Sequence, residues 1–326
     1  MTTTATLPPD VTNALRPRVG PAPTATLITD SSRVPVWRIT GGDTVLAVKV
    51  GLGTRIVDRE AAALEALHAV DLVRERPWHG EHSTGSWLAT PWYQGATTEQ
   101  HWASLRVRGA ERGIMRLRAL GWAVELAGAV ADLHAKRWIH ADLHPAQCIH
   151  TPAGARLIDY ASAHGPLGAI PADLLAAYPY TTCRVDCAAP EIASAVLARR
   201  RPTATRAADV YALAATLRMS WTGEPAVAVR KGYGGRPPTP AQRRQAIADG
   251  APLSRVPSPL AWPALEQILT PALSIDPLDR PTAAQLHTRL ADLHRAATRA
   301  AHRSTPSATT TDTGDAVATS PTQAER

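Results

Sequence analysis

The sequence predicts an α+β fold with two lobes, in which a small antiparallel β-sheet carrying one helix is followed by a mainly helical part. Between residues 24 and 95 the apolar residues form short runs that end at turn residues, as β-strands do. From about residue 110 to 297 they recur instead at helical spacing. This change along the chain predicts a cleft between two lobes, which is where small-molecule sites tend to lie.

The strands of the first lobe are predicted from apolar runs that end at turns. A Gly-Gly-Asp turn at 41–43 separates two of these runs, which should therefore form a hairpin. Residues 59–67 have the composition and spacing of a helix, and two more strands are predicted near 71–77 and 86–92. The three apolar runs are TATLIT, VPVWRIT and VLAVKV.

The second lobe is predicted to be helical with one exception. Residues 147–159 contain two short strands around a Pro-Ala-Gly turn, and these should form a hairpin. Helices are predicted near residues 115–136, 189–198, 207–220, 240–249, 261–270 and 282–297.

The composition of the two ends sets the predicted domain boundaries. Residues 1–22 are rich in Thr, Pro and Ala, and residues 298–326 are rich in Ser and Thr, so both segments are predicted to be disordered. The first lobe is then predicted to span residues 23–95 and the second lobe residues 96–297.

The composition is that of a soluble globular protein, with 44% apolar residues. No run of about eighteen apolar residues occurs, so no membrane partner is expected. The N-terminus lacks the basic start and apolar run of a signal peptide, and three cysteines are too few for a disulfide framework. We therefore predict a cytoplasmic protein.

The net charge of +7 does not by itself indicate a nucleic-acid partner, because the basic residues are scattered along the chain. Scattered charges are typical of a solvated surface, and no nucleic acid is expected as a partner. Only three basic residues are lysines, which suggests that those positions need an ammonium group where a guanidinium would not serve. They are Lys49, Lys136 and Lys231.

Two aspartates flank the predicted hairpin of the second lobe. Asp142 lies in the loop after a long predicted helix, and Asp159 closes the hairpin. Because the hairpin folds back on itself, both carboxylates can reach one end of it. Phosphoryl transfer needs such a pair, one carboxylate to orient the attacking hydroxyl and another to hold Mg²⁺ on the phosphates. Two solvated loop aspartates are the alternative interpretation.

The motifs around these aspartates resemble those of the protein kinases, in particular the bacterial serine/threonine protein kinases. HADLHPAQ resembles the catalytic loop, with Asp142 as its catalytic carboxylate, and IDYA resembles the metal-binding motif, with Asp159 as the metal ligand. The resemblance implies a protein kinase-like fold in which Asp209 braces the catalytic loop and Glu191 pairs with Arg280. The remaining motifs are AAPE at 188–191, ADVYALAATL at 208–217 and DPLDRPTAAQL at 276–286.

In the first lobe, Lys49 stands in the place of the family's phosphate-binding lysine, with Glu60 as its partner on the helix. The spacing of these two residues is short for the family, so Glu65 is the alternative partner. The resemblance implies catalytic roles for Asp142, Lys49 and Glu60, with ATP and Mg²⁺ as cofactors. A surface lysine on a strand edge is the other interpretation of Lys49.

Two further segments of the first lobe are predicted to contact the nucleotide. Pro91 would offer its carbonyl, and Tyr93 its amide N–H, to the adenine, although aromatic residues packed in a strand explain this segment nearly as well. Ser31 and Ser32 stand where the family has its glycine-rich loop, and they could offer hydroxyls and amides to phosphate.

Three positions of the catalytic loop depart from the family. Gln147 replaces the asparagine that serves as second Mg²⁺ ligand, and it keeps the amide oxygen on a longer side chain. Ala141 replaces the arginine that binds an activation-loop phosphate. His144 replaces a lysine and resembles the corresponding residue of the aminoglycoside and choline phosphotransferases.

The expected function is ATP- and Mg²⁺-dependent transfer of a phosphoryl group to Ser or Thr hydroxyls of a protein substrate. Two alternatives remain open at this stage. A small-molecule acceptor is favoured by His144 and by the short spacing from Lys49 to Glu60. A pseudokinase or scaffold module, which binds nucleotide without turnover, is favoured by Gln147 and by the missing glycine-rich loop.

Overall fold

An antiparallel sheet followed by helices forms the α+β fold of the chain in a computed structural model, as the sequence predicts. The arrangement is compatible with two lobes. The structure describes residues 6–30, 33–106, 112–180, 183–229, 235–257 and 260–303.

The N-terminal sheet has five antiparallel strands in the order β1-β2-β3-β5-β4. The central strand is β3, whose side chains alternate between two faces because the side-chain period of a strand is two residues. One helix, α2, packs against β3 and β5. The elements are β1 (Thr24–Thr29), β2 (Val36–Gly41), β3 (Thr44–Leu52), α2 (Ile56–His68), β4 (Trp78–His82) and β5 (Gly85–Pro91).

The prediction of disorder for residues 1–22 is wrong for the segment Pro9–Val19, which forms the helix α1. Its apolar residues recur every four positions, so Val11, Leu15 and Val19 share one face of the helix. That face is buried against Trp37 and other apolar side chains of the sheet. The prediction of disorder was based on composition, in which Thr and Pro are frequent, and it took no account of this apolar repeat. Residues 1–5 lie outside the described residues.

The helical part begins after a short strand and contains the predicted hairpin, which pairs with that strand to form a second sheet in the order β6-β7-β8. All six predicted helices are present. Helix α7 is buried along nearly its whole length, and α10 packs along α4. The elements are β6 (Ala96–Thr97), α3 (Thr98–Arg106), α4 (Arg112–Ala135), β7 (Cys148–Thr151), β8 (Gly154–Leu157), α5 (Ala172–Ala177), α6 (Pro190–Leu197), α7 (Arg206–Thr222), α8 (Pro240–Ala248), α9 (Pro263–Ala272) and α10 (Ala283–Arg303).

Three other details differ from the prediction. The strand expected near 71–77 lies instead at Trp78–His82, because residues 71–75 form turns around Asp71, whose backbone is left-handed. The short helices α3 and α5 were not predicted. The C-terminal segment is helical as far as Arg303, so the predicted disorder from residue 298 is wrong over its first six positions; residues 304–326 lie outside the described residues.

Helix α2 connects the two parts of the chain. Its apolar side chains, among them Val57, Leu64 and Leu67, belong to the same buried cluster as Leu126 of α4 and Leu213 of α7. The opposite face of the sheet packs in a separate cluster with α1. Helix α2 therefore packs against the helical part as well as against the sheet. Among the described residues, no helix is both long and apolar enough to span a bilayer.

The packing of α1 gives a first testable prediction. Leu15 is 1% exposed, so Leu15→Ala should leave a cavity and lower the free energy of unfolding by about 2–4 kcal/mol. The neighbouring Asn13 is exposed, and Asn13→Ala should change it by less than about 0.5 kcal/mol. Urea unfolding of the two variants measures both values. Equal, small effects would mean that α1 is not packed on the sheet.

Candidate functional site

Lys49 is the centre of a group of charged side chains drawn from both parts of the chain. Its Nζ donates to both carboxylate oxygens of Glu60, at 2.8 and 2.7 Å, and to Oδ1 of Asp159 at 2.9 Å. The predicted pairing of Lys49 with Glu60 is therefore present. The alternative partner, Glu65, accepts instead from Arg76.

The strand and helix periods explain how Lys49 and Glu60 meet. Val48 and Val50 are buried on the face of β3 that packs with α1, so Lys49 projects from the opposite face. That face carries α2, on which Glu60 is buried between the apolar residues that contact the sheet and the helical part. Burial disfavours the charged ammonium, but the two carboxylates outweigh it and raise the pKa of Lys49 above its ordinary value.

Asp159 follows β8 and has a left-handed backbone, with φ of 64°, which is uncommon for a residue other than glycine. Its Oδ2 accepts from Nε2 of Gln147 at 3.1 Å. Burial alone would raise the pKa of Asp159, but the ion pair with Lys49 and the bond from Gln147 lower it to about 2. Asp159 is therefore ionised across the physiological range.

The carboxylate of Asp209, on α7, accepts hydrogen bonds from the backbone of the loop that carries Asp142, as the sequence predicts. Oδ2 of Asp209 accepts from the backbone N–H of His140 at 2.7 Å, and Oδ1 accepts from that of Ala141 at 2.9 Å. Nε2 of His134 is 3.1 Å from Oδ2 of the same carboxylate. Ala141 is left-handed, with φ of 65°, so these bonds stabilise a backbone conformation that alanine rarely adopts.

Asp142 itself lies in a different environment from Asp159. Its Oδ1 accepts from the backbone N–H of Arg184 at 3.2 Å, and no basic side chain pairs with it among the described residues. Burial raises the pKa of Asp142 to about 7, against the lowering effect of the Arg184 N–H. The neighbouring His144 has a pKa lowered to about 4 by burial, so its imidazole is neutral at pH 7.

Asp159 and Gln147 have the chemistry of a magnesium site. Mg²⁺ prefers oxygen ligands and is commonly bound by one or two side chains together with phosphate oxygens and water. Gln147 donates to Asp159 through its amide nitrogen, so its amide oxygen would reach a cation shared with Asp159 only after the amide turns. A carboxylate and an amide are residue types that can ligate Mg²⁺. Among the described residues, no group of three or more His, Cys, Asp or Glu residues that could hold a metal occurs.

The structure gives less information on the adenine contacts predicted for Pro91 and Tyr93. Pro91 is the last residue of β5 and is paired with Leu46 of β3. The side chain of Tyr93 lines a cavity of about 320 Å³ together with Tyr160 and Leu133. Burial raises the pKa of the Tyr93 hydroxyl. Ser31 and Ser32, which were predicted to contact phosphate, lie outside the described residues.

The predicted pairing of Glu191 with Arg280 is also present. The guanidinium of Arg280 donates to both carboxylate oxygens, each at 2.8 Å, and further to the backbone carbonyl of Ala207 at 3.0 Å. This bidentate pair joins the N-terminus of α6 to the segment before α10 and to the start of α7. It thereby fixes the chain segment that leads from Arg184 into α6.

Sequence reasoning missed Arg59, whose side chain reaches the segment that follows Asp159. Its guanidinium donates to the backbone carbonyls of Ala161 at 2.5 Å and Ala163 at 3.0 Å. An arginine beside a glutamate on a helix is ordinary in sequence, and its burial depends on tertiary packing. Only its position next to Glu60 could have indicated a role.

Neither a protein-family model nor a curated protein matches this sequence. The functional interpretation therefore depends on the geometry described above.

The pKa of Asp142 predicts a pH-dependent effect on stability. Because burial raises the pKa from 3.8 to about 7, ionisation of Asp142 destabilises the folded state as the pH rises from about 4 to 7, and the effect is constant above that. Asp142→Asn should thus raise the free energy of unfolding relative to wild type by on the order of 2–4 kcal/mol at pH 8, and by much less at pH 4.5.

Urea unfolding at the two pH values measures this difference. Asp43→Asn is a matched control, because Asp43 is exposed in the turn between β2 and β3. A stability difference for Asp142→Asn that is the same at pH 4.5 and pH 8 would contradict a raised pKa.

Proposed function

We propose that the protein is an ATP-dependent phosphotransferase related to the protein kinases, and that it transfers the γ-phosphoryl group to Ser or Thr hydroxyls of a protein substrate. The observation that carries this proposal is the position of Lys49, within 2.9 Å of both Glu60 and Asp159, with Gln147 on the far side of Asp159. A fixed ammonium next to a pair of metal-binding oxygen ligands is what phosphate binding requires.

In this proposal Lys49 binds phosphate oxygens of ATP. Its ammonium has three N–H donors, and Glu60 holds it in place so that little side-chain freedom is lost when the nucleotide binds. Asp159 and Gln147 hold Mg²⁺, which when bound supplies positive charge to the phosphate oxygens.

Asp142 orients the acceptor hydroxyl and accepts its proton. A carboxylate with a pKa near 7 is both ionised in a useful fraction and basic enough for this task at physiological pH. Asp209 fixes the backbone on which Asp142 sits, and the Arg184 N–H orients one carboxylate oxygen. The attacking oxygen is therefore held at a fixed position relative to the phosphate, which is a large part of catalysis in this reaction class.

A protein acceptor is favoured over a small molecule by the segment that leads from Arg184 to α6. This segment touches Asp142 at one end and is anchored at the other by Glu191 and Arg280. A surface fixed beside the catalytic carboxylate is suited to an extended peptide. His144 favours the small-molecule alternative. Its imidazole is neutral at pH 7 and therefore does not repel an acceptor that carries positive charge.

Intact-protein mass spectrometry after incubation with Mg²⁺, ATP and a generic basic protein tests the proposal. Wild type should add steps of about 80 daltons, the mass of a phosphoryl group, to the acceptor or to itself. Asp142→Asn should reduce the rate by about 10³-fold, since the acceptor hydroxyl loses its base. Because that variant is expected to be more stable than wild type, unfolding cannot explain the loss.

Asp43→Asn serves again as the control and should react like wild type. No mass step with wild type, combined with ATP turnover in the presence of a small acceptor such as an aminoglycoside, would favour the small-molecule alternative. Binding of ATP without any turnover would favour a pseudokinase. An undiminished rate in Asp142→Asn would refute the role of Asp142.

The pH dependence of the reaction provides a separate prediction. Because the reactive form of Asp142 is ionised, kcat/KM for the acceptor should rise about tenfold per pH unit below pH 7 and level off above it. Initial rates between about pH 5 and pH 9, with Mg²⁺ and ATP saturating, measure this profile. A profile that is flat from pH 5 to pH 8 would contradict Asp142 as the base.

A further inference from the structure

Arg59 is the most buried charged residue of α2, with none of its surface exposed. Its guanidinium donates to three consecutive backbone carbonyls, those of Ala161 at 2.5 Å, Ser162 at 3.4 Å and Ala163 at 3.0 Å. These three residues directly follow Tyr160 and the proposed metal ligand Asp159. A single side chain of α2 therefore donates hydrogen bonds to all three residues of the segment 161–163, which leads away from the site.

This arrangement is unusual for a buried cation. Buried charges normally have a partner of opposite charge, yet among the described residues no carboxylate pairs with Arg59. The ring of Tyr178 lies 5.8 Å from the guanidinium carbon. Burial lowers the pKa of Arg59, although the group stays protonated at any physiological pH. A guanidinium that has carbonyl dipoles and one aromatic ring around it, and no carboxylate partner among the described residues, is costly to bury, which suggests a role other than stability.

The segment that Arg59 contacts is also hydrogen-bonded at its two ends. The backbone N–H of Tyr160 donates to Oε1 of Glu60 at 3.2 Å. Further along, His164 and Ile139 exchange two backbone hydrogen bonds, of 2.8 and 2.9 Å, which attach the segment to the strand-like start of the Asp142 loop. Between these two ties, Arg59 supplies the bonds from α2 to residues 161–163.

We propose that Arg59 is a positioning residue for the proposed phosphoryl transfer, acting as a clamp that keeps Asp159 beside Lys49 and Gln147. Asp159 has a left-handed backbone, and such a conformation persists only when its surroundings fix it. Glu60 and Arg59 fix the chain immediately after Asp159. Because the acceptors of Arg59 are backbone carbonyls, the clamp forms without covalent modification of any side chain.

The inference rests on the proposed function and predicts a selective defect. Without the clamp, Asp159 should leave its position more often and bind Mg²⁺ more weakly. Arg59→Met removes the donors and keeps much of the side-chain volume, whereas Arg59→Lys keeps the charge but offers a single donor group. The matched control is Arg218→Met, which removes another buried arginine, on α7, with bonds to Glu266 and to the backbone of Ser254.

Two measurements on the full-length protein test the proposal. The first is the Mg²⁺ concentration that gives half the maximal rate of phosphoryl transfer. The second is hydrogen exchange of the backbone amides of residues 159–164 without nucleotide. In Arg59→Met we expect the Mg²⁺ requirement to rise at least tenfold with an unchanged KM for the acceptor, and the exchange to accelerate at least tenfold. Arg59→Lys should change the Mg²⁺ requirement and the exchange rate less than Arg59→Met does. Arg218→Met should leave both quantities at their wild-type values.

A Mg²⁺ requirement in Arg59→Met equal to that of wild type would overturn the proposal. Equal changes in Arg59→Met and Arg218→Met would also overturn it, since they would mean that Arg59 is only structural. If Arg59→Met does not fold, as thermal melting would show, Arg59→Lys decides by the same criteria. Failure of the proposed function is recognised separately, because wild type itself would then transfer no phosphoryl group while the exchange measurement still reports the clamp.

Discussion

The arrangement of the candidate site depends on the ion pairs of Lys49 with Glu60 and Asp159. These three groups come from a strand, a helix and a loop of the other part of the chain, and they bring two carboxyl groups against one ammonium. Such a group is stable only when hydrogen-bond donors surround the carboxylates, and the structure supplies them from Gln147 and from the backbone of Tyr160. The surplus of carboxyl groups over ammonium groups supports the proposed cation site.

The second constraint is the carboxylate of Asp209, which orders the Asp142 loop through two backbone N–H groups. Both loops of the site include a left-handed residue other than glycine, Ala141 in one and Asp159 in the other. Each would relax if its anchor were lost. The anchors belong to α7 and α2, which share one buried apolar cluster, so the packing of the core and the conformation of the site depend on each other.

The sequence was sufficient to predict the parts of this arrangement that local pattern determines. The strand alternation around Lys49, the helix that carries Glu60 and the six predicted helices of the helical part all follow from periodicity. The α1 helix was missed because the prediction was based on the composition of residues 1–22, in which Thr and Pro are frequent. The burial of Arg59 was missed because the sequence around a charged helical residue does not show whether that residue is buried. The contacts of Pro91 and Tyr93 with adenine, and those of Ser31 and Ser32 with phosphate, stay predictions.

The two aspartates of the site have the same side chain and opposite electrostatic environments. Asp159 lies against the ammonium of Lys49, which lowers its pKa to about 2. Asp142 is half-buried and forms no ion pair with a basic side chain among the described residues, and desolvation raises its pKa to about 7. Divergent pKa values within one site are the usual sign that two acids have different tasks. A permanently ionised carboxylate is suited to hold a metal, and one that titrates near neutrality is suited to exchange a proton. The roles proposed for the two aspartates could therefore not be interchanged without moving Lys49.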